Sequence, residues 1–111
     1  MTGQAAMHMS DADNVENREV QVHFEQQGSE LTAVQIERRG RSPVIMALHR
    51  ALLPLGIVVQ QYQARPGPLG LLERVALQRR DGGPIQGSLD AAARAAILPI
   101  AFREGGFVAA S

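Results

Sequence analysis

The sequence contains no cysteine, no tryptophan and no lysine, so all eleven of its basic residues are arginine. Without cysteine the chain can form neither a disulfide framework nor a thiolate metal site, a composition that suits a reducing cytoplasm. We therefore expect a cytoplasmic protein that carries no metal and no cofactor.

Long apolar runs are also absent. No segment is long enough to span a bilayer, and the amino terminus lacks the basic cluster and apolar run of a signal peptide. We expect a soluble protein with no membrane partner. With 111 residues and no internal repeat, the chain predicts one domain with a modest core, which oligomerisation would help to stabilise.

Charge is divided unevenly along the chain, although the net charge is zero. Residues 11–30 carry six acids and one arginine, whereas residues 31–111 carry ten arginines and five acids. The arginines could form a surface for anions or nucleic acids, or a solvated face. We favour the solvated face and expect no nucleic-acid partner, because stacking platforms need exposed aromatics and Tyr62 is the only candidate in a predicted central strand.

The first residues show no periodicity. Residues 1–18 are polar and acidic, which predicts a disordered acidic tail, and residues 19–111 form the single folded domain. Met7, His8 and Met9 fall in this tail, where two thioethers and one imidazole make a poor fixed ligand set for a metal.

Residues 32–56 predict a strand, a tight loop and a helix. Gly40 permits unusual backbone angles, Ser42 is a good N-cap, and Pro43 suits the first helical position. Gly56 suits a left-handed cap at the other end. Period-two alternation marks the strand at Thr32, Val34 and Ile36, and helical spacing marks an apolar stripe at Val44, Ile45, Leu48, Leu52 and Leu55.

The flanking segments complete a small sheet-and-helix domain. A strand at Val20–Phe24 precedes the central unit as one arm of a hairpin. After it come strands at 57–64 and 71–80, separated by a turn rich in proline and glycine. Ser88 caps a second helix that Pro99 ends, and 107–109 suggests an edge strand. The order β-β-α-β-β-α predicts an α+β, ferredoxin-like sandwich with both helices on one face of an antiparallel sheet. We expect the strand at Val20–Phe24 to take the edge beside the first core strand.

Three runs together resemble an ACT domain: TAVQI, VIMALHRALLPLGIVV and ERVALQRRDGGPI. The similarity covers about residues 20–100 and is closest to the ACT modules of bacterial nitrogen-sensing uridylyltransferases. It implies an ACT-like sandwich that acts as a regulatory homodimer and senses an amino acid or a small anionic effector. The signature Asp-Arg-Pro-Gly loop of the family corresponds to residues 40–43 here, where Arg41 is retained and the acid and the glycine are replaced.

The resemblance places an effector site at Gly40, Arg41 and Ser42, together with the strand start at Val58 and Val59. In the family, backbone amides of this loop and helix start hold the effector, and a helix amino terminus attracts carboxylates and other anions. The alternative for residues 40–42 is an ordinary turn that starts a helix.

The sequence shows no catalytic constellation. His8, His23 and His49 fall in the tail, on the polar face of a strand and on a helix, and no nucleophile elbow, P-loop or paired carboxylates occur. We therefore expect a protein that is not an enzyme. Two functions stay open: a homodimeric sensor of a small effector, and a ligand-free assembly module that binds a protein partner by pairing an edge strand. We expect Glu73, an acid among apolar neighbours, to be paired with an arginine.

Overall fold

The computed structural model describes residues 14–16, 19–40 and 42–110, with side chains for Asn14 and for residues 19–40 and 42–102. These residues form five strands, two α-helices and one 3₁₀ turn. The elements are β1 (Asn14–Glu16), β2 (Val20–Gln27), β3 (Glu30–Arg38), α1 (Ile45–Leu52), the 3₁₀ turn (Leu53–Leu55), β4 (Ile57–Pro66), β5 (Leu71–Arg79) and α2 (Ser88–Ala110).

The strands form one antiparallel sheet in the order β1-β2-β3-β5-β4. The predicted α+β class, with an antiparallel sheet and two helices, is confirmed. So is the place of β2, which lies beside β3. Because three strands precede the first helix, the element order differs from the βαββαβ order of a ferredoxin-like fold.

One apolar cluster joins the sheet to both helices. Alternate residues of the strands face it, as the period of two requires, and α1 and α2 add residues at spacings of four. Helix α1 packs against β4, while α2 packs against β2 and β3. The buried members include Val20, Val22, Phe24, Val34, Ile36, Leu48, Leu52, Val75, Ala93, Ile97 and Ala101.

The predicted disordered tail is wrong at Asn14–Glu16, which form strand β1 along the outer edge of β2. A strand of three residues is too short for its alternation to stand out from a polar sequence. Residues 1–13, 17 and 18 of the predicted tail lie outside the described residues.

The predicted end of the second helix at Pro99 is also wrong, because α2 continues to Ala110 and includes the residues predicted as an edge strand. A proline inside a helix costs about 3 kcal/mol through the lost hydrogen bond and the clash of its ring. Ala101 is buried beyond the proline, and Ile100 and Phe102 pack against the core. At roughly 0.8 kcal/mol for each buried CH₂ group, this packing offsets the cost. Among the described residues, no helix combines the length and apolar character needed to cross a membrane.

Candidate functional site

The buried charged side chains of the described residues lie at the end of the sheet where β3 meets α1. Glu37 and Arg38 close β3 and are 9% and 5% exposed, and Glu73 on β5 is 1% exposed. In the register of these strands, Ile36 lies opposite Glu73 and Arg38 opposite Leu71. Because side chains alternate along a strand, Arg38 and Glu73 lie on the helix-covered face and Glu37 lies on the open face.

Glu73 caps helix α1 from the sheet. The amide of Val44 donates to both carboxylate oxygens, at 3.1 Å to Oε1 and 3.0 Å to Oε2. No side chain of the described residues before the helix caps it, so the predicted N-cap role of Ser42 is wrong, and the helix begins at Ile45 rather than at Pro43. Since helix amino termini have unpaired N–H groups and attract negative charge, the Glu73 carboxylate stabilises this start.

Tyr62 supplies a second donor to the same carboxylate. Its hydroxyl donates to Oε2 of Glu73 at 2.7 Å. Partial burial, together with the hydrogen bond and the charge of Glu73, raises the pKa of Tyr62 to about 12. The prediction of a central strand for this tyrosine is wrong, because it lies on the edge strand β4 and is 37% exposed. The phenol therefore connects the edge of the sheet to the start of α1.

One donor atom of Arg38 has no partner among the described residues. Its Nη2 donates to the carbonyl oxygen of Ser42, whereas its buried Nε has no hydrogen-bond partner among the described residues. The described partners of Glu73 are a backbone amide and a hydroxyl, so its predicted pairing with an arginine is not observed. A buried guanidinium is costly unless it is paired and fully hydrogen-bonded. Arg38 thus presents an unused N–H beside the loop that leads into α1.

The β4–β5 turn packs directly against this loop. Glu37 accepts a hydrogen bond from the amide of Leu69, at 2.7 Å to its Oε2. A Cβ atom on Gly70 would lie only 2.6 Å from the carbonyl oxygen of Arg38 and 2.9 Å from that of Gly40. The contact therefore requires glycine at position 70. The prolines and glycines of this segment predicted the turn between β4 and β5. They did not predict that the turn packs against the loop before α1.

The predicted effector residues on the β3–α1 loop are only partly described. Gly40 is exposed, and its φ of +90° is an angle that glycine adopts readily. Ser42 is exposed and uses its carbonyl oxygen to hold Arg38. Arg41 lies outside the described residues.

The predicted residues on β4 lie far from that loop within one chain. Val58 and Val59 are half-buried at the start of β4, and Val58 lies opposite Gln78 of β5. Arg38 lies opposite Leu71, seven residues away along the same strand. At roughly 3.3 Å per residue, about 23 Å separates the two parts, so a single chain does not bring the predicted site together.

The open face of the sheet is polar and was not predicted as a site. Arg74 makes a bidentate ion pair with Glu25, at 2.7 and 2.8 Å, and Gln35 donates to the same carboxylate at 2.8 Å. The hydrogen bond from Arg74 is the main reason that the pKa of Glu25 is lowered. A shallow cleft of about 160 Å³ lies on this face, lined by Asn14, Gln21, Val22, His23, Gln35, Glu37 and Leu72. Among the described residues, no three His, Asp or Glu side chains are placed to hold a metal ion.

The two edges of the sheet differ. One edge is the three-residue strand β1, whereas the other is β4, which has ten residues and no second neighbour among the described strands. Residues 60–66 of β4 are exposed. Three large apolar side chains are exposed in this part of the fold: Met46 on α1, Leu53 on the 3₁₀ turn and Tyr62 on β4.

Comparisons of the chain with protein-family models, with curated proteins and with solved structures found no match. The ACT-domain assignment therefore stays a prediction that rests on the residues quoted for it.

Proposed function

We propose that this protein is a non-catalytic, ACT-like regulatory module of the cytoplasm that acts as a homodimer joined along β4. The observation that carries the proposal is the free edge of that strand, exposed over residues 60–66 and without a strand neighbour in the described part of the chain. An exposed edge of this length presents unpaired N–H and C=O groups, which pair readily with another strand.

A two-fold pairing of β4 with itself would also bring the two parts of the predicted effector site closer together. If the axis passes beside Gln61 and Tyr62, Val58 of one chain lies beside Arg65 of the partner subunit. Arg65 is near the end of β4, opposite Leu72 of β5, at the same end of the sheet as Gly40. The separation of about 23 Å within one chain would then fall to about 14 Å, which is three strand spacings of roughly 4.8 Å, because β5 lies between β4 and β3.

Exposed apolar side chains support the same interface. Met46 is 63% exposed, and Leu53 and Tyr62 are each 37% exposed. Met46 lies on α1, and Leu53 begins the 3₁₀ turn that follows this helix. Helix α1 packs against β4, while α2 lies over β2 and β3. Pairing along β4 would bring α1, which packs against this strand, close to a second copy, and burial of exposed apolar side chains between the copies would favour association.

Within this proposal, the structure favours assembly without a ligand over effector sensing. The Val44 amide, which an effector carboxylate would use, already donates to Glu73. Tyr62 also lies on the helix-covered side of β4, since it is opposite the buried Val75. It is therefore not a stacking platform on the open face, which supports the expectation of no nucleic-acid partner.

Sedimentation equilibrium tests the dimer. Wild-type protein should sediment at twice the 12.0 kDa mass of the chain. The double variant Gln61→Lys and Gln63→Lys should be monomeric, because lysines on an edge strand oppose pairing. The matched control is Gln21→Lys, an exposed position on β2, which has a neighbour on each side, and it should stay dimeric. A monomeric wild-type protein at high concentration would refute the proposal.

Native mass spectrometry then separates the two forms of the proposal. A dimer that carries no additional mass supports the assembly module, and the search moves to a protein partner. A dimer that carries a bound amino acid or small anion supports effector sensing. Calorimetric titration with amino acids and simple anions provides the independent check, since an assembly module should release no heat of binding.

A further inference from the structure

The amino terminus of α1 already holds an anion that belongs to the chain itself. Glu73 is 1% exposed and accepts hydrogen bonds from the Val44 amide and the Tyr62 hydroxyl. The first turn of α1 contains no acidic residue, and no preceding side chain in the described part of the chain caps it. A carboxylate placed 29 residues away in sequence therefore supplies the negative charge that a helix start favours.

A second buried donor is a close neighbour of Glu73 in the register of the strands. The Nε of Arg38 is buried and has no hydrogen-bond partner among the described residues, and its Nη2 is bonded to Ser42 in the loop leading into α1. Arg38 and Glu73 are diagonal neighbours on one face of the β3–β5 pair, since Ile36 is opposite Glu73 and Arg38 is opposite Leu71. Diagonal neighbours lie within reach of long side chains.

We propose that the Val44 amide, the Tyr62 hydroxyl and the Arg38 guanidinium form a carboxylate-binding position, which Glu73 occupies from within. While Glu73 is in place, small carboxylates from solution are excluded. The position opens when Glu73 is removed. The ligand class is a small monocarboxylate, because Glu73→Ala frees only the space of one carboxyl group and one methylene group.

The experiment uses formate as the probe and Glu73→Ala as the opened site. Formate should raise the thermal unfolding midpoint of Glu73→Ala in a saturable way, beyond the effect of chloride at the same ionic strength. At ten times its dissociation constant, bound formate should raise the ratio of folded to unfolded protein about elevenfold. The wild-type protein should respond equally to formate and chloride, because its own carboxylate fills the position.

Two further variants test the composition of the site. Glu73→Gln fills the same space with an amide, so formate should not stabilise it beyond chloride. Adding Arg38→Met to Glu73→Ala should weaken formate binding about tenfold or more, because a charge-assisted hydrogen bond is lost. The proposal is overturned if formate fails to stabilise Glu73→Ala, stabilises the wild type equally, or binds equally well without Arg38.

If Glu73→Ala does not fold in chloride, a second measurement on wild type and Glu73→Gln tests the proposal. The backbone amide resonance of Val44 should shift between wild type and Glu73→Gln, and formate should shift it in neither protein. An unchanged Val44 resonance would show that Glu73 does not occupy the position. Because Tyr62 lies on β4, each variant is also examined by sedimentation, so that a loss of formate binding is distinguished from a loss of the dimer proposed above.

Discussion

Among single residues, Tyr62 is the most direct reporter of the buried carboxylate. It is the only tyrosine in a chain without tryptophan, so tyrosinate absorbance in the ultraviolet follows this side chain alone. Its hydroxyl donates a hydrogen bond to Glu73, and the same carboxylate accepts hydrogen bonds from the Val44 amide. Titration of the Tyr62 phenol therefore reports whether the Glu73 carboxylate is in place at the start of α1.

We predict that Tyr62 ionises with a pKa of about 12 in the folded protein, above the ordinary value of 10.0. Because the folded-state pKa is raised, the associated stability is fully present below pH 10 and is lost as the pH rises through 12. Glu73→Gln should move the pKa towards 10, since it removes the carboxylate but keeps most of the packing. Glu19→Gln, at an exposed position, should leave it at the wild-type value. Equal titration curves for wild type and Glu73→Gln would contradict the hydrogen bond.

The ion pair between Glu25 and Arg74 predicts a loss of stability in acid. Arg74 lowers the pKa of Glu25 below 4.5, so the stability it contributes is present above pH 4.5 and is lost as the pH falls through the lowered pKa. Both side chains are partly exposed, so the contribution is about 0.2–1 kcal/mol. Denaturant titrations between neutral and acidic pH should show that the free energy of unfolding decreases less on acidification in Arg74→Met than in the wild type. Arg50→Met, on the exposed side of α1, should keep the wild-type slope.

Among the elements, the turn between β4 and β5 has the strictest requirement on sequence. Gly67 donates a backbone hydrogen bond to Gly70 at 2.8 Å, and Gly70 lies against the backbone of Arg38 and Gly40. Backbone atoms cannot move aside as the end of a flexible side chain can. Position 70 therefore fixes how closely the turn approaches the loop before α1.

We predict that Gly70→Ala lowers the free energy of unfolding by about 1–3 kcal/mol, the usual cost of overpacking, because its Cβ would lie 2.6 Å from a carbonyl oxygen. Gly83→Ala is the matched control. There the nearest atom is the end of the Arg79 side chain at 3.0 Å, which can move, so the change should be within about 0.5 kcal/mol. Chemical denaturation measures both. Similar losses for the two variants would mean that the turn does not hold this close contact.

The elements also show which features are local in sequence. Alternation in Val20, Val22 and Phe24 predicted β2 correctly, because a half-buried strand needs only its own period. The start of α1 could not be predicted in the same way. Its capping group is Glu73, which the chain brings near only after β5 pairs with β3, so the local signal of Ser42 was misleading. Pro99 was misleading for a related reason, since tertiary packing on both sides of it outweighs its local preference.

At the scale of the whole molecule, the predicted site divides between the ends of the sheet. The residues of the loop, Gly40 and Ser42, and the strand residues, Val58 and Val59, were grouped by resemblance to a family. Within one chain they lie about 23 Å apart by the rise of a strand, because β3 and β4 run in the same direction with β5 between them. A second chain paired along β4 would bring them closer, and pairing between chains leaves no periodic signal in one sequence.

Pairing along β4 has a geometric consequence for the uncovered side of the sheet. Two five-stranded sheets joined at this edge would form one ten-stranded sheet, about 48 Å wide at roughly 4.8 Å per strand. All four helices would lie on one side, and the ion pair of Glu25 with Arg74 would occur twice on the other side. A macromolecule lying across that surface would meet two copies of every group, related by a half-turn. The best-matched partner would therefore itself be a symmetric pair, or a single body long enough to contact both halves in opposite orientations.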